Sequence, residues 1–198
     1  STTVPGTNIA SGSAIVIDTT VPTITSFTST TADGSYKSAG TVNITATASE
    51  AVVAGNTITA TLDTSDNVTL TAADNGTTLV GTYTVGAGDN SNDLTVSSFS
   101  IGTVTDIAGN AMASTTVPGT NIASGSAIVI DTTAPTVSSI STTADNQSLV
   151  SITDNITVTF SEAMGPSYIT TSTSDTNCAG SIRVSSDNYS TCVKMSSE

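Results

Sequence analysis

Residues 41–50 read TVNITATASE, a stretch in which apolar and polar side chains alternate. Val42, Ile44, Ala46 and Ala48 fall on one face of an extended chain, and Thr and Asn side chains fall on the other. Period-two alternation with many β-branched residues is typical of a half-buried β-strand. The stretch therefore predicts a strand whose apolar face lies against a core.

Further stretches along the chain repeat this pattern, with Gly, Asn, Asp or Pro between them. They are TITATL (57–62), NVTLTA (67–72), TTLVGTYTV (77–85), DLTVSSFSI (93–101), SAIVID (13–18 and 126–131) and NITVTFSE (155–162), with Ile156, Val158 and Phe160 predicted to point inward. No stretch has helical spacing. Many short strands separated by turn residues predict an all-β chain of tandem immunoglobulin-like β-sandwiches joined by short linkers.

The chain also repeats itself on a long scale. Residues 1–20 return letter for letter as residues 114–133, and the SEA motif at 49–51 returns at 161–163. A period above one hundred residues is too long for a solenoid, whose units run about 20–50 residues. The repeat therefore predicts a string of whole domains, each with its own core.

Domain limits follow from the DTT-x-P segments, because Pro22 and Pro135 cannot continue a central strand. We expect residues 1–18 to be the exit strand of a preceding repeat, 19–131 to form a complete domain, and 132–198 to form a second domain that is incomplete at its C-terminus. In an alternative interpretation, residues 13–18 are a donor strand that fills a gap in a neighbouring copy. Such chains would polymerise head to tail into a filament.

Composition narrows the function classes. The chain has 3 basic and 16 acidic residues, a formal net charge of −13 and no His. This balance argues against binding to nucleic acid or to an anionic membrane surface, and it suits divalent cations. The sequence has neither a His to act as general base nor a G-x-S-x-G motif. We therefore expect the chain not to be an enzyme.

The order and spacing of three motifs point to a family. They are DTTAPT (131–136), the alternating strand that ends in SEA, and DIAGN (106–110). With them the chain resembles bacterial Ig-like repeats, which occur in very large secreted or surface-anchored adhesins. The resemblance implies an extracellular stalk or adhesive role, with neighbouring repeats and an unidentified surface receptor as partners and no membrane insertion in this segment. It also implies calcium at the joints between domains.

The residues allow a separate prediction of calcium ligands, because carboxylates from a linker and from nearby loops can converge on one ion. We expect a site formed by Asp131 with Asp106 and Glu50, and Asp18 in the corresponding place upstream. Weaker candidates are Asp33, Asp145 and Glu162. In the alternative interpretation these carboxylates accept hydrogen bonds from local amides in turns.

Three further expectations concern single residues and surfaces. Cys178 and Cys192 can form a disulfide, which would contribute about 3 kcal/mol, or stay free thiols. The alternative function is a module whose Thr-rich strand faces bind a carbohydrate, a crystalline surface or ice. Sequons that could carry glycans begin at Asn43, Asn67, Asn75, Asn146, Asn155 and Asn188.

Overall fold

The computed structural model describes residues 15–142, 155–165, 167, 169–172, 178–185 and 190–195. The chain divides into two compact units, Ser1–Thr133 (unit 1) and Ala134–Glu198 (unit 2). The limits at residues 18 and 131 that the sequence predicts stay predictions. Within the described residues, no helix has both the length and the apolar character to span a membrane.

In the described part of unit 1, residues 15–133, the strands form two β-sheets. The larger is antiparallel, with six strands in the order β1-β3-β6-β5-β4-β8. The smaller has the order β2-β9-β7, in which β9 is parallel to β2 and antiparallel to β7. The strands are β1 (Ile24–Thr28), β2 (Gly34–Tyr36), β3 (Thr41–Ala48), β4 (Thr57–Leu62), β5 (Asn67–Ala72), β6 (Thr78–Thr84), β7 (Asn90–Ser91), β8 (Val96–Ile101) and β9 (Ile128–Asp131), with a short 3-10 helix at Ile122–Ser124.

One hydrophobic core lies within unit 1. Val42, Ile44, Ala46 and Ala48 of β3 are all buried, which confirms the alternation predicted for residues 41–50. The Phe27 and Phe99 rings meet edge to face, with centroids 5.6 Å apart. The fold is all-β and immunoglobulin-like, as the sequence predicted.

The strand registers place the incoming and outgoing chain at opposite ends of unit 1. Ile24 of β1 pairs with Ala48, the last residue of β3. Thr41, at the other end of β3, pairs with Thr84, and the chain beyond β6 leads to β7. There Asn90 pairs with Asp131, the last residue of β9. Asp131 therefore lies at the end of the sandwich that is opposite the start of β1.

The outward face of the six-stranded sheet carries no charged side chain. In register, Thr59 of β4 lies between Thr69 of β5 and Ser100 of β8. The non-glycine side chains that are not buried along the paired stretches of the six strands are Ser26, Thr28, Thr41, Asn43, Thr45, Thr47, Thr57, Thr61, Asn67, Thr71, Thr78, Val80, Thr82, Thr84, Ser98 and Ile101, together with these three. The acidic residues of unit 1 lie in turns, linkers and strand ends instead.

Unit 2 begins with the same strand pairing as unit 1. Strand β10 (Val137–Thr142) pairs antiparallel with β11 (Ile156–Phe160), and the register shifts after Val137 as it does after Ile24 in β1. Ser161 N donates to Thr136 O at 2.8 Å, the counterpart of the 2.8 Å bond from Ser49 N to Thr23 O. Corresponding sequence thus gives corresponding local structure in the two units.

The inward face predicted for β11 is only partly buried. Val158 and Phe160 are half-buried, but Ile156 is 48 % exposed. Among the described residues of unit 2, β10 and β11 form a two-stranded sheet. Cys178 and Cys192 form a disulfide with Cα atoms 5.3 Å apart, the pairing that the sequence predicted.

Candidate metal centre

Asp106 lies in a tight turn between β8 and the 3-10 helix. The Asn110 backbone amide donates to Asp106 Oδ1 at 2.7 Å, and the Asn110 side chain donates to Oδ2, also at 2.7 Å. Gly109 adopts a φ of +98° in this turn, which glycine tolerates and other residues rarely adopt. The DIAGN motif therefore folds around the carboxylate, which is almost completely buried.

Hydrogen bonds keep that buried carboxylate charged. Burial alone would raise the pKa of Asp106. The Asn110 side chain and the backbone amides of Asn110, Gly109 and Ala108 outweigh this effect and lower the pKa below its usual value. Asp106 is thus an ionised acceptor at neutral pH.

Asp18 reaches the same place from the segment that leads into β1. The Asn110 side chain donates to the Asp18 backbone carbonyl at 3.1 Å, so one amide side chain contacts both acidic residues. Thr20 N donates to Asp18 Oδ1 at 2.9 Å, which fixes the carboxylate in a local turn. Residues 92 positions apart in sequence are thereby brought together.

Glu50 supplies the third carboxylate, two residues after β3 ends at Ala48. The chain here is fixed to the incoming segment, because Ser49 N donates to Thr23 O and Thr23 N donates to Ser49 Oγ. The Glu50 Oε1 atom is buried and has no hydrogen-bond partner. Burial raises the pKa of Glu50 above its usual value, and the Asp18 and Asp106 carboxylates raise it further.

The three residues form one acidic cluster. A carboxylate oxygen from each of Asp18, Glu50 and Asp106 lies within 4.8 Å of the others. Hard oxygen ligands of this kind suit calcium, and a cation would satisfy the buried Glu50 oxygen and offset the repulsion among the charges. The donor set therefore fits a calcium ion.

The grouping differs from the sequence prediction at one position. Asp18, and not Asp131, lies beside Glu50 and Asp106. Asp131 ends β9 at the opposite end of unit 1, where its Oδ1 accepts a hydrogen bond from Thr133 N at 3.0 Å. The prediction that Asp131 joins Glu50 and Asp106 is wrong, because the chain enters and leaves the sandwich at different ends.

The weaker candidates have separate positions. Asp33 Oδ1 accepts a hydrogen bond from Ala127 N at 2.8 Å and so anchors the chain just before β9. Glu162, the counterpart of Glu50 in unit 2, also has a buried Oε1 without a hydrogen-bond partner. Asp145 lies outside the described residues.

The predicted glycan sites also differ in their surroundings. Asn43 is held by the fold: its Oδ1 accepts from Ser29, Thr30 and Thr31, and its Nδ2 donates to Thr30, so a glycan on this nitrogen would break the network. Asn67, Asn75 and Asn155 are exposed and stay predictions, and Asn146 and Asn188 lie outside the described residues.

Sequence reasoning missed a second acidic arrangement, near the end of β9. Tyr83 donates its hydroxyl to Asp89 Oδ2 at 2.5 Å, and Gly86 N donates to the same oxygen at 2.6 Å. Asp66 contacts Asp89. Burial makes the largest contribution to the raised pKa of Asp66, and Asp89 raises it further. The Tyr83 and Gly86 bonds lower the pKa of Asp89. The two acids are far apart in sequence and form no motif that could have identified them.

The sandwich, with its loops gathered at two ends, has an immunoglobulin-like architecture. Residues 131–196 match the family model described as a bacterial Ig-like domain, which confirms the predicted resemblance for that part of the chain. Such domains occur in surface-exposed bacterial proteins and are generally non-catalytic. No curated protein and no solved structure matched the chain.

Proposed function

We propose that the chain is a non-enzymatic structural segment of an extracellular bacterial surface protein, an adhesin, stalk or filament, and that calcium ties its incoming linker to unit 1. The observation that carries the calcium proposal is the cluster of Asp18, Glu50 and Asp106, with a buried Glu50 oxygen that no hydrogen bond satisfies. The family match at residues 131–196 and the repeated blocks of sequence support the structural role.

Calcium at this position would act on the linker. Asp18 belongs to the segment before β1, whereas Glu50 and Asp106 belong to turns of the folded unit. An ion shared by all three would restrict the movement of the segment relative to the sandwich. A ligand that binds only the folded state also stabilises that state, by about 2.7 kcal/mol at one hundred times its Kd.

The test is a thermal unfolding series of the full chain in chelator and in increasing calcium, with calorimetric titration of the same samples. We expect calcium to raise the unfolding midpoint and to do so more effectively than magnesium, which demands a stricter octahedral shell. Glu50→Gln should raise the midpoint in chelator, because it removes one of three crowded charges, and should lose the response to calcium.

Asp93→Asn is the matched control, because it removes one exposed carboxylate outside the cluster. Its calcium response should equal that of the unmodified chain. A wild-type midpoint that calcium does not move, or an equal calcium response in Glu50→Gln, would refute the calcium proposal and leave the structural role untouched.

A second candidate function is adsorption to an uncharged, ordered surface, either a carbohydrate or ice. The observation in its favour is the outward face of the six-stranded sheet, where Thr59, Thr69 and Ser100 lie side by side and no residue is charged. Neighbouring strands are about 4.8 Å apart and successive outward residues about 6.7 Å apart, so the hydroxyls form a rough lattice.

Adsorption of the full chain to insoluble polysaccharides, and its effect on ice recrystallisation, test this candidate. Thr59→Lys places a charge on the face, between Thr69 and Ser100, and should abolish adsorption. Thr115→Lys adds the same charge at an exposed position outside the strands and should preserve it. Equal adsorption by both variants would remove the sheet face from consideration.

A further inference from the structure

Residues 15–17 present an unusual apolar surface. Ile15 is 64 % exposed, Val16 85 % and Ile17 86 %, and the three residues lie outside any strand or helix. Three consecutive β-branched apolar residues favour a strand and do not favour water. The segment has the composition of a buried strand without the surroundings of one.

A second copy of this sequence in the same chain shows which residues cover it when it forms a strand. Residues 128–130 are identical to residues 15–17, and there Ile128 is 0 % exposed and Ile130 2 %. They belong to β9, the central strand of the smaller sheet. Gly34, Ser35 and Tyr36 of β2 pair with it in parallel, and Ser91 of β7 pairs with Ile130 from the other side.

Hydrogen bonds just before and just after β9 also hold this strand in place. On one side Asp33 Oδ1 accepts from Ala127 N, and Gly34 N donates to Ala127 O at 3.0 Å. On the other side Thr132 Oγ1 donates to Asp89 O at 3.0 Å and accepts from Gly88 N at 3.1 Å. Ala14 and Thr19 occupy the positions of Ala127 and Thr132 in the first copy, so its sequence can make every one of these contacts.

We propose that residues 15–17 form the closing β-strand of a second β-sandwich of the same design. In that partner the segment lies between a parallel strand equivalent to β2 and a short antiparallel strand equivalent to β7. The partner is thus a copy of the unit 1 fold whose own β9 position is filled by this segment. Only one part of this proposal rests on the proposed structural role, namely that the partner is a neighbouring repeat.

A consequence follows for Asp18. It would end a strand of the partner sandwich and also contribute to the acidic cluster of unit 1, so one residue would link the two folds. The partner would then fix the position of one of the three carboxylates.

The test is an extended chain in which a second copy of residues 19–113 is placed before Ser1 of the full protein. Because residues 1–20 equal residues 114–133, the added residues and the first copy together contain the complete sequence of unit 1 from residue 19 onward. Hydrogen–deuterium exchange is measured at residues 15–17 and 128–130. Peptides that extend past Val21 and Ala134 differ in mass and can be told apart.

We expect exchange at residues 15–17 to slow by about a hundredfold or more in the extended chain, to the rate of residues 128–130, as for amides of a buried strand. The paired substitution Ile15→Asp with Ile17→Asp should leave the stability of the original chain unchanged and should unfold the added sandwich in the extended chain.

Exchange at residues 15–17 that stays as fast in the extended chain as in the original would overturn the proposal. So would an extended chain that tolerates Ile15→Asp with Ile17→Asp without loss of stability. Neither result depends on a cation, so both are distinguishable from failure of the calcium proposal.

Discussion

Residues 15–17 and 128–130 have the same sequence, the same flanking residues on both sides, and opposite surroundings. The second copy is a central strand whose Ile128 and Ile130 are buried, and the first copy lies outside any strand and is exposed. Local propensity is identical in the two places, so it cannot account for the difference.

What differs is the presence of neighbours. Strand β9 lies between β2 and β7, whose own sequences, GSY and NS, have the composition of turns. These short segments are strands because β9 provides hydrogen-bonding partners between them, and β9 is a strand because they do the same for it. In this sheet, β2, β7 and β9 therefore form strands only together, and no one of them does so by its own sequence.

The largest expected effect comes from truncating one isoleucine in each copy. Ile130→Ala leaves a cavity in the core and should destabilise unit 1 by about 2–5 kcal/mol. Ile17→Ala removes the same atoms from an exposed side chain and should change stability by less than about 0.5 kcal/mol. Urea unfolding of the full chain followed by circular dichroism measures both, and equal losses would contradict the contrast.

The aspartates that end the two copies provide the next contrast. Asp18→Asn removes a carboxylate from the acidic cluster and should weaken calcium binding about tenfold or more, since even residues that only support metal ligands contribute about 10–100-fold. Asp131→Asn, at the opposite end of unit 1, should leave calcium affinity unchanged. Calorimetric titration compares them, and a larger effect of Asp131→Asn would show that the cluster is not the binding site.

A smaller effect is expected from the threonines that follow each aspartate. Thr132 bonds both Asp89 O and Gly88 N through its hydroxyl, so Thr132→Val should destabilise unit 1 by about 0.5–1.5 kcal/mol. Thr19 is exposed, and Thr19→Val should be close to neutral. The measurement is the urea midpoint of each variant, with the prediction failing if Thr19→Val is the more harmful change.

The smallest effect concerns the acids that lie near the end of β9. The raised pKa of Asp66 means that the folded state binds its proton more tightly than the unfolded state does. This contribution to stability is complete below the unfolded pKa and is lost as pH rises through the folded pKa. Asp66→Asn stays neutral and can donate to Asp89 at every pH.

We therefore expect Asp66→Asn to be more stable than the unmodified chain at pH 7, by less than about 1 kcal/mol, and the difference to shrink toward pH 4. Asp74→Asn, which neutralises an exposed carboxylate elsewhere in unit 1, is the control. Urea unfolding at both pH values measures this difference, and a gain that grows on acidification would contradict the raised pKa of Asp66.

Much of the fold could be predicted from alternation alone. Each long strand of the larger sheet buries one face. The alternation in the sequence therefore shows which side chains, such as those of Val42 and Ile44, point toward the core. The two short strands β2 and β7 could not be predicted in this way, because their pairing depends on β9 and not on their own side chains.

The candidate site was predicted in its residue types and only partly in its grouping. Asp18 and Asp131 lie within identical sequences, so no local pattern distinguishes them, and only the register of β1, β3 and β9 reveals which end of the sandwich each occupies. The buried and unsatisfied state of Glu50 Oε1 is likewise a result of three-dimensional packing that composition does not encode.

The placement of Asp18 and Asp131 at opposite ends of unit 1 has a mechanical consequence. Tension applied through the two linkers acts along the strands, so the hydrogen bonds between β9 and its neighbours are loaded in shear and share the force. They would have to break together and not one after another. A sandwich threaded in this way resists stretching along its length.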